Sequence, residues 1–204
     1  MKIKFLSLLS GLFLMGAAWA QTAPNDFIDQ LSNGVLADVQ KDTALKQGDL
    51  SSISQLVDER LMPHVNFERM TALTVGRPWR QATPAQREAL MREFRVLLIR
   101  TYANAFAQVK NQKIQMRPFR GDASQKEVIV RSQVVQPGAE PLQLDYRLER
   151  AGDAWRIYDV NVLGVWLVQT YRNQFAQEIS ASGIDGLIKS LAAKNAKAKQ
   201  QIKG

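Results

Sequence analysis

The 204-residue chain predicts an α+β domain, on three observations. Apolar residues recur three or four apart through the first half, alternate with polar ones from about residue 112 to 162, and return to helical spacing after Gly164. Helices, then a run of strands joined by short turns, then helices again give one antiparallel sheet of about four strands against a long helix and several shorter ones. No internal repeat is visible, and the length suits a single domain with a substantial core.

The first twenty residues, MKIKFLSLLSGLFLMGAAWA, read as a secretory signal peptide. Lys2 and Lys4 precede an apolar run from Phe5 to Ala17, and Ala18-Trp19-Ala20 supplies a cleavage site before Gln21. That run is shorter than the roughly 20 residues a spanning helix needs. No Arg-Arg pair precedes it and no Cys follows the cut, so the expectation is an exported, released protein whose one domain is residues 21–204.

Pro24 and Asn25 open the first helix, with Phe27, Ile28, Leu31, Val35, Leu36 and Val39 on one stripe. Gly48-Asp49 starts a shorter one carrying Ile53, Leu56 and Val57, ended by Pro63, which cannot continue the hydrogen-bond ladder. A third runs from about Asn66 to Val75 and stops at Gly76. The strongest local signal is Thr83-Pro84-Ala85-Gln86, a capping threonine, a first-turn proline and the glutamine of a capping box. It begins a long helix to about Asn111, with Leu90, Phe94, Leu97, Leu98, Thr101, Ala105 and Val109 along one side.

Residues 112–119 then read as a strand, followed by Glu127 to Gln136 with Val128, Val130, Ser132 and Val134 on one face. After a Pro137–Pro141 turn, Leu142, Leu144, Tyr146 and Leu148 alternate with Gln143, Asp145, Arg147 and Glu149, predicting one buried and one wet face. Gly152-Asp153 turns the chain into Ala154 to Val162, whose imperfect alternation predicts a bulge or a strand covered on both sides. Asn161 to Trp166 leads into a helix with the stripe Val168, Tyr171, Phe175 and Ile179, broken at Gly183 before a last helix through Ile188 and Leu191. The basic tail, residues 194–204, is expected to fray.

Composition removes several function classes. Without cysteine there are no disulfides, thiolate metal sites or thiol nucleophiles. His64 is the only histidine and has no visible metal or nucleophile partners. Loss of the signal lowers the net charge from +8 to +6. On an exported chain that basic balance suits anionic lipid headgroups or acidic protein faces, not nucleic acid. Asp145, Glu149 and Asp159 are the acid/base candidates, but the alternation turns Asp145 and Glu149 to solvent; it leaves Asp159 open between a general base near tyrosines and a structural, hydrogen-bonded carboxylate, the second being the commoner case. No phosphate-cradling loop, calcium loop or zinc spacing appears. The surplus of apolar residues on sheet and helices either closes an ordinary core or lines a cavity.

Four stretches resemble the MlaC family, the phospholipid-binding component of the Mla lipid-asymmetry system, also called the toluene-tolerance auxiliary component. They are Gly76-Arg77-Pro78-Trp79-Arg80 to Thr83-Pro84-Ala85-Gln86-Arg87, Trp155-Arg156-Ile157-Tyr158-Asp159-Val160, the Gly164-Val165 corner, and Gly183-Ile184-Asp185-Gly186-Leu187. The resemblance implies an NTF2-like curved sheet with helices over its concave side and a deep apolar pocket for phospholipid acyl chains. It implies a monomeric periplasmic carrier that is not an enzyme and needs no cofactor beyond its phospholipid ligand. Its implied partners are an outer-membrane lipoprotein–porin complex and an inner-membrane ABC transporter with a lipid-binding ring. On this reading Val165 meets the lipid where the last strand turns into a helix, so a glutamate there would bury a charge against acyl chain. Trp166, which stands where the family often has a small residue, with Tyr146, Leu144, Val130, Ile157, Phe94, Leu97, Leu98 and Tyr102, completes the expected lipid-binding set. Two other classes remain: a small enzyme of the same fold type, with Asp159 and Tyr158 as a polar dyad in the pocket, and a ligand-free envelope interaction protein with a filled core.

Overall fold

The structure, a computed structural model, describes residues 22–201. The expected signal peptide and the last three residues of the tail lie outside them. Helix α1 (Pro24–Lys41) starts with its proline in the first turn, where a missing N–H costs nothing. Helices α2 (Thr43–Lys46) and α3 (Leu50–Leu56) are each capped by an aspartate: Asp42 accepts from the Ala44 and Leu45 N–H groups, and Asp49 from that of Ser52. A π-helical turn (Val57–Leu61) and a 3-10 turn (Met62–His64) lead to α4 (Phe67–Val75), which Asn66 caps and Gly76 ends at φ 74°. After a 3-10 turn (Arg77–Arg80), α5 (Pro84–Ala107) opens with the complete Thr83/Gln86 capping box.

Strands β1 (Lys113–Met116), β2 (Glu127–Val135), β3 (Leu142–Ala151), β4 (Ala154–Val162) and β5 (Val165–Trp166) form one antiparallel sheet in the order β1-β2-β3-β4-β5. The fifth strand is a two-residue hairpin return where the sequence predicts only a corner. The expected bulge is present: Arg147 pairs with Asp159 and Leu148 with Ile157, leaving Tyr158 as the extra residue on β4. This shift changes the parity of the strand. Trp155 and Ile157 pack inward before it, and Val160 and Val162 pack inward after it.

Both sheet edges are covered. Beside β1, Asn25 of α1 donates to the Arg117 carbonyl at 3.0 Å, and Gln40 donates to the Lys110 and Gln112 carbonyls. Beside β4, the Asn66 N–H donates to the Ile157 carbonyl at 2.8 Å.

The last helix, α6 (Leu167–Gln201), is interrupted at Gly183, where φ 71° and ψ −173° break it into two limbs. It continues through residues expected to fray: Asn195 is buried and donates to the Glu93 carbonyl and carboxylate.

Three apolar clusters fill the domain. One lies among α4, α5 and α6 around Phe94, whose ring meets Phe67, Tyr171 and Phe175 at 5.1–5.7 Å between centroids. A second joins Ile28 of α1 to Val128, Val130, Tyr146, Leu148, Trp155 and Ile157 on the inner sheet face. The third holds α1, α2 and α3 against the end of α5 through Val39, Leu45, Ile53, Leu56 and Ala103.

Candidate functional site

The inner sheet face is built in cross-strand rows. Val128 pairs with Leu148 and then Ile157; Val130 with Tyr146 and then Val160; Ser132 with Leu144 and then Val162. The first two rows are mostly buried, while Leu144 and Val162 in the third are only half-covered. Half-buried apolar side chains on α5 answer them: Leu97, Leu98 and Tyr102 pack against the Phe94 cluster, as do Val160 and Val162 from the sheet. The sheet cluster and the helical cluster meet through Val65 and Val160, which touch both. Helix α5 makes its main contacts with α6, α3, α4 and α2, not with the sheet. Leu97, Leu98 and Tyr102 on α5 and Val160 and Val162 on β4 are therefore half-buried apolar side chains around the Phe94 cluster, a seam at which packing is incomplete.

The residues expected to bind lipid differ in burial. Phe94, Val130, Ile157 and Tyr146 are buried, and Leu97, Leu98, Tyr102 and Leu144 are half-buried. Trp166 is half-buried and stacks against Arg147, whose guanidinium carbon lies 4.0 Å from the ring centroid. Val165 stands apart at 55% exposure on the β4–β5 hairpin. Val160 and Val162 belong to the seam but were not singled out in the sequence. Their strand pairing with Tyr146 and Leu144 marks them, and that pairing depends on the bulge.

Beside the seam, a cleft of about 180 Å³ opens between α5 and both limbs of α6. Leu97, Tyr171, Phe175, Leu187 and Leu191 are its apolar lining, and Thr101, Gln174, Glu178 and Lys194 its polar lining. Burial pushes the Tyr146 phenol well above its ordinary range, with the Ser132 hydroxyl acting against the shift. Burial, and then the neighbouring Tyr171, raises that of Tyr102. Both side chains face the seam neutral.

The carboxylates serve the frame. Asp159 is fully buried; it accepts from the Val160 N–H at 2.9 Å, the Val168 N–H at 3.0 Å and Arg147 at 3.0 Å, which ties β4 to the first turn of α6. Burial raises its pKa, opposed by the Val168 N–H and by Arg147. Tyr158 donates to Glu127 at 2.9 Å, so it and Asp159 have separate partners and do not form a dyad.

The outer face corrects the sequence reading of Asp145 and Glu149 as solvent-facing. Asp145 is 3% exposed, accepting from the Ser132 N–H and from Gln143 at 2.6 Å. Glu149 accepts from Asn66 and Arg69, and Arg69 also binds Glu127 at 2.6 Å. Long polar side chains lie down over this face, and hydrophobic alternation does not register them. Among the described residues no cluster of His, Cys, Asp and Glu could hold a metal ion.

Comparison with known proteins places this geometry. The family model described as MlaC protein matches residues 29–193. A solved phospholipid-binding protein from Ralstonia solanacearum, in complex with a phospholipid, is 41% identical with a TM-score of 0.84, covering 87% of this chain and 99% of that one. The intermembrane phospholipid transport system binding protein MlaC of Haemophilus influenzae is 24% identical over 88% of this chain and 86% of its own length. The toluene tolerance protein ttg2D of Pseudomonas putida is 27% identical over 96% of this chain and 91% of its own.

Proposed function

The chain belongs to the MlaC family, and from that premise we propose that it is a periplasmic phospholipid carrier that sequesters acyl chains between α5 and the sheet. The observation that carries the reading is the phospholipid held by the Ralstonia relative, which shares this fold over nearly its whole length. The half-buried apolar side chains of Leu97, Leu98, Leu144 and Val162 support it from within the chain, since acyl chains would cover what the protein leaves open there.

The work of such a carrier is physical. Two acyl chains with about 30 methylenes cost roughly 20 kcal/mol or more in water, at about 0.8 kcal/mol per group, so unassisted escape from a bilayer is very slow. An apolar interior replaces the membrane, and transfer between two apolar media is close to balanced. Direction then comes from the partners, for which the family reading supplies an outer-membrane lipoprotein–porin complex and an inner-membrane ABC transporter with a lipid-binding ring. No catalytic group is required.

The cleft of about 180 Å³ between α5 and α6 is smaller than the roughly 300–1,000 Å³ of ordinary ligand pockets, so loading would widen the space beside α5. Val130, Tyr146 and Ile157 of the sheet and Phe94, Leu97, Leu98 and Tyr102 of α5 line the opened site on this reading, with Leu144 at its margin.

The test is gentle purification from the periplasm, native mass spectrometry and solvent extraction. A stoichiometric phospholipid is expected, with Leu98→Glu folded but empty because the new charge would have to lie against acyl chain. A parent protein that is folded and free of lipid would overturn the reading.

A further inference from the structure

The exposed large apolar side chains among the described residues are Ile129, Leu163 and Val165. Leu163 and Val165 share one place, the tip of the β4–β5 hairpin, at 66% and 55% exposure. Leu163 is also the one non-glycine described residue with positive φ, at 55°, followed by Gly164 at 86°. The two form the turn of a two-residue hairpin closed by the Val162–Val165 pair. Such a turn favours asparagine or glycine at its first central position, and a leucine there is strained. The strain is held in place: Asn161 accepts from the Gly164 N–H at 2.9 Å, and the Leu163 N–H donates to the Gln143 carbonyl at 3.1 Å. The Leu163 side chain is thus strained and water-exposed and buries little apolar surface for the fold, the kind of position that clusters at functional sites.

The surroundings of the tip are aromatic and cationic. Trp166 lies directly behind Val165, with Arg147 stacked on it. Arg147 also lines a groove of about 370 Å³ on the outer sheet face, whose charged lining is Arg120, Arg131, Arg147 and Glu127, the last already held by Arg69 and Tyr158. The guanidinium of Arg147 pairs with Asp159, whereas those of the exposed Arg120 and Arg131 have no ion pair or hydrogen bond among the described residues.

We propose that this hairpin docks on a bilayer surface. Leu163 and Val165 enter the boundary between headgroups and acyl chains, Trp166 sits at headgroup depth, and Arg120, Arg131 and Arg147 meet anionic headgroup phosphates. Charge and dimensions favour a membrane over a protein partner. Two projecting side chains fall far short of the roughly 800 Å² per partner of a standard protein interface, whereas a shallow apolar wedge backed by an interfacial Trp and cations suits a leaflet.

This inference stands apart from the carrier reading, since surface binding is measured without any lipid being transferred. The mature protein is sedimented with vesicles of phosphatidylglycerol and phosphatidylethanolamine, and separately with phosphatidylcholine vesicles. Tighter binding to the anionic vesicles is expected, weakened about tenfold in Leu163→Asn, while thermal stability stays equal or rises because asparagine tolerates the turn. The double variant Arg120→Gln/Arg131→Gln is expected to lose the anionic preference and its salt dependence. Native mass spectra of Leu163→Asn keep the lipid content of the parent, which separates a failure of docking from a failure of lipid binding. Equal vesicle binding by the parent and Leu163→Asn, or no preference of the parent for anionic vesicles, overturns the proposal and assigns the tip to a protein partner.

Discussion

Phe94 shows how much one side chain can hold. Fully buried, with three aromatic neighbours on two other helices, Phe67 of α4 and Tyr171 and Phe175 of the first α6 limb, it is the point where α4, α5 and α6 converge. Phe94→Ala is expected to cost about 3–5 kcal/mol and to lower the melting temperature by about 10 °C in a thermal scan. Tyr158 makes a prediction in pH. Burial, and then Glu127, pushes its phenol up to about 12 from an ordinary 10. Between those values the unfolded chain has released the proton that the folded chain keeps, so this contribution is fully present below about pH 10 and is lost as pH rises toward 12. In alkaline denaturation Tyr158→Phe should flatten that fall, and an ultraviolet phenolate titration should lose one late-titrating group. Tyr158 reads in the sequence as one more strand aromatic. Its distinct environment follows from being the bulged residue, and irregular alternation predicts a bulge without naming which residue it displaces.

Among the elements, the break in α6 has a measurable consequence. Gly183 lets the second limb fold back so that Leu187 and Leu191 join the Phe94 cluster. A Cβ there would meet nothing within 4 Å, so the penalty for Gly183→Ala is backbone strain, about 1–3 kcal/mol in this essentially glycine-only region of positive φ. A straightened helix would relieve it and withdraw the second limb. Hydrogen exchange in residues 184–195 should therefore accelerate more than in the sheet. The break, the α5 capping box and the inward face of β3 were legible because each is written in neighbouring residues. The burial of Asp145, the Arg69 clamp on Glu127 and Glu149, and the exposure of Val165 were not. They arise from side chains meeting across strands or from an exposed turn, which local periodicity does not encode.

At the level of the whole molecule, a carrier with an incompletely packed seam should be stabilised by its cargo. A ligand that binds only the folded state adds about 2.7 kcal/mol at a hundredfold excess over its Kd. Delipidated protein is therefore expected to melt about 5–10 °C below the loaded form, with recovery on adding phospholipid, as calorimetry of the two preparations would show. The division of the core among three clusters has a further effect, on the order in which the chain can become a structure. The largest helical cluster takes Phe94 from the middle of the sequence and Tyr171, Phe175, Leu187 and Leu191 from its end. No length of chain stopping short of about residue 190 contains Leu187 and Leu191, which complete this cluster over α4 and α5. A polypeptide emerging from its amino end thus remains without a finished core until nearly all of it is through. The packed interior is thereby completed last, by nothing more than the position of one helix in the sequence.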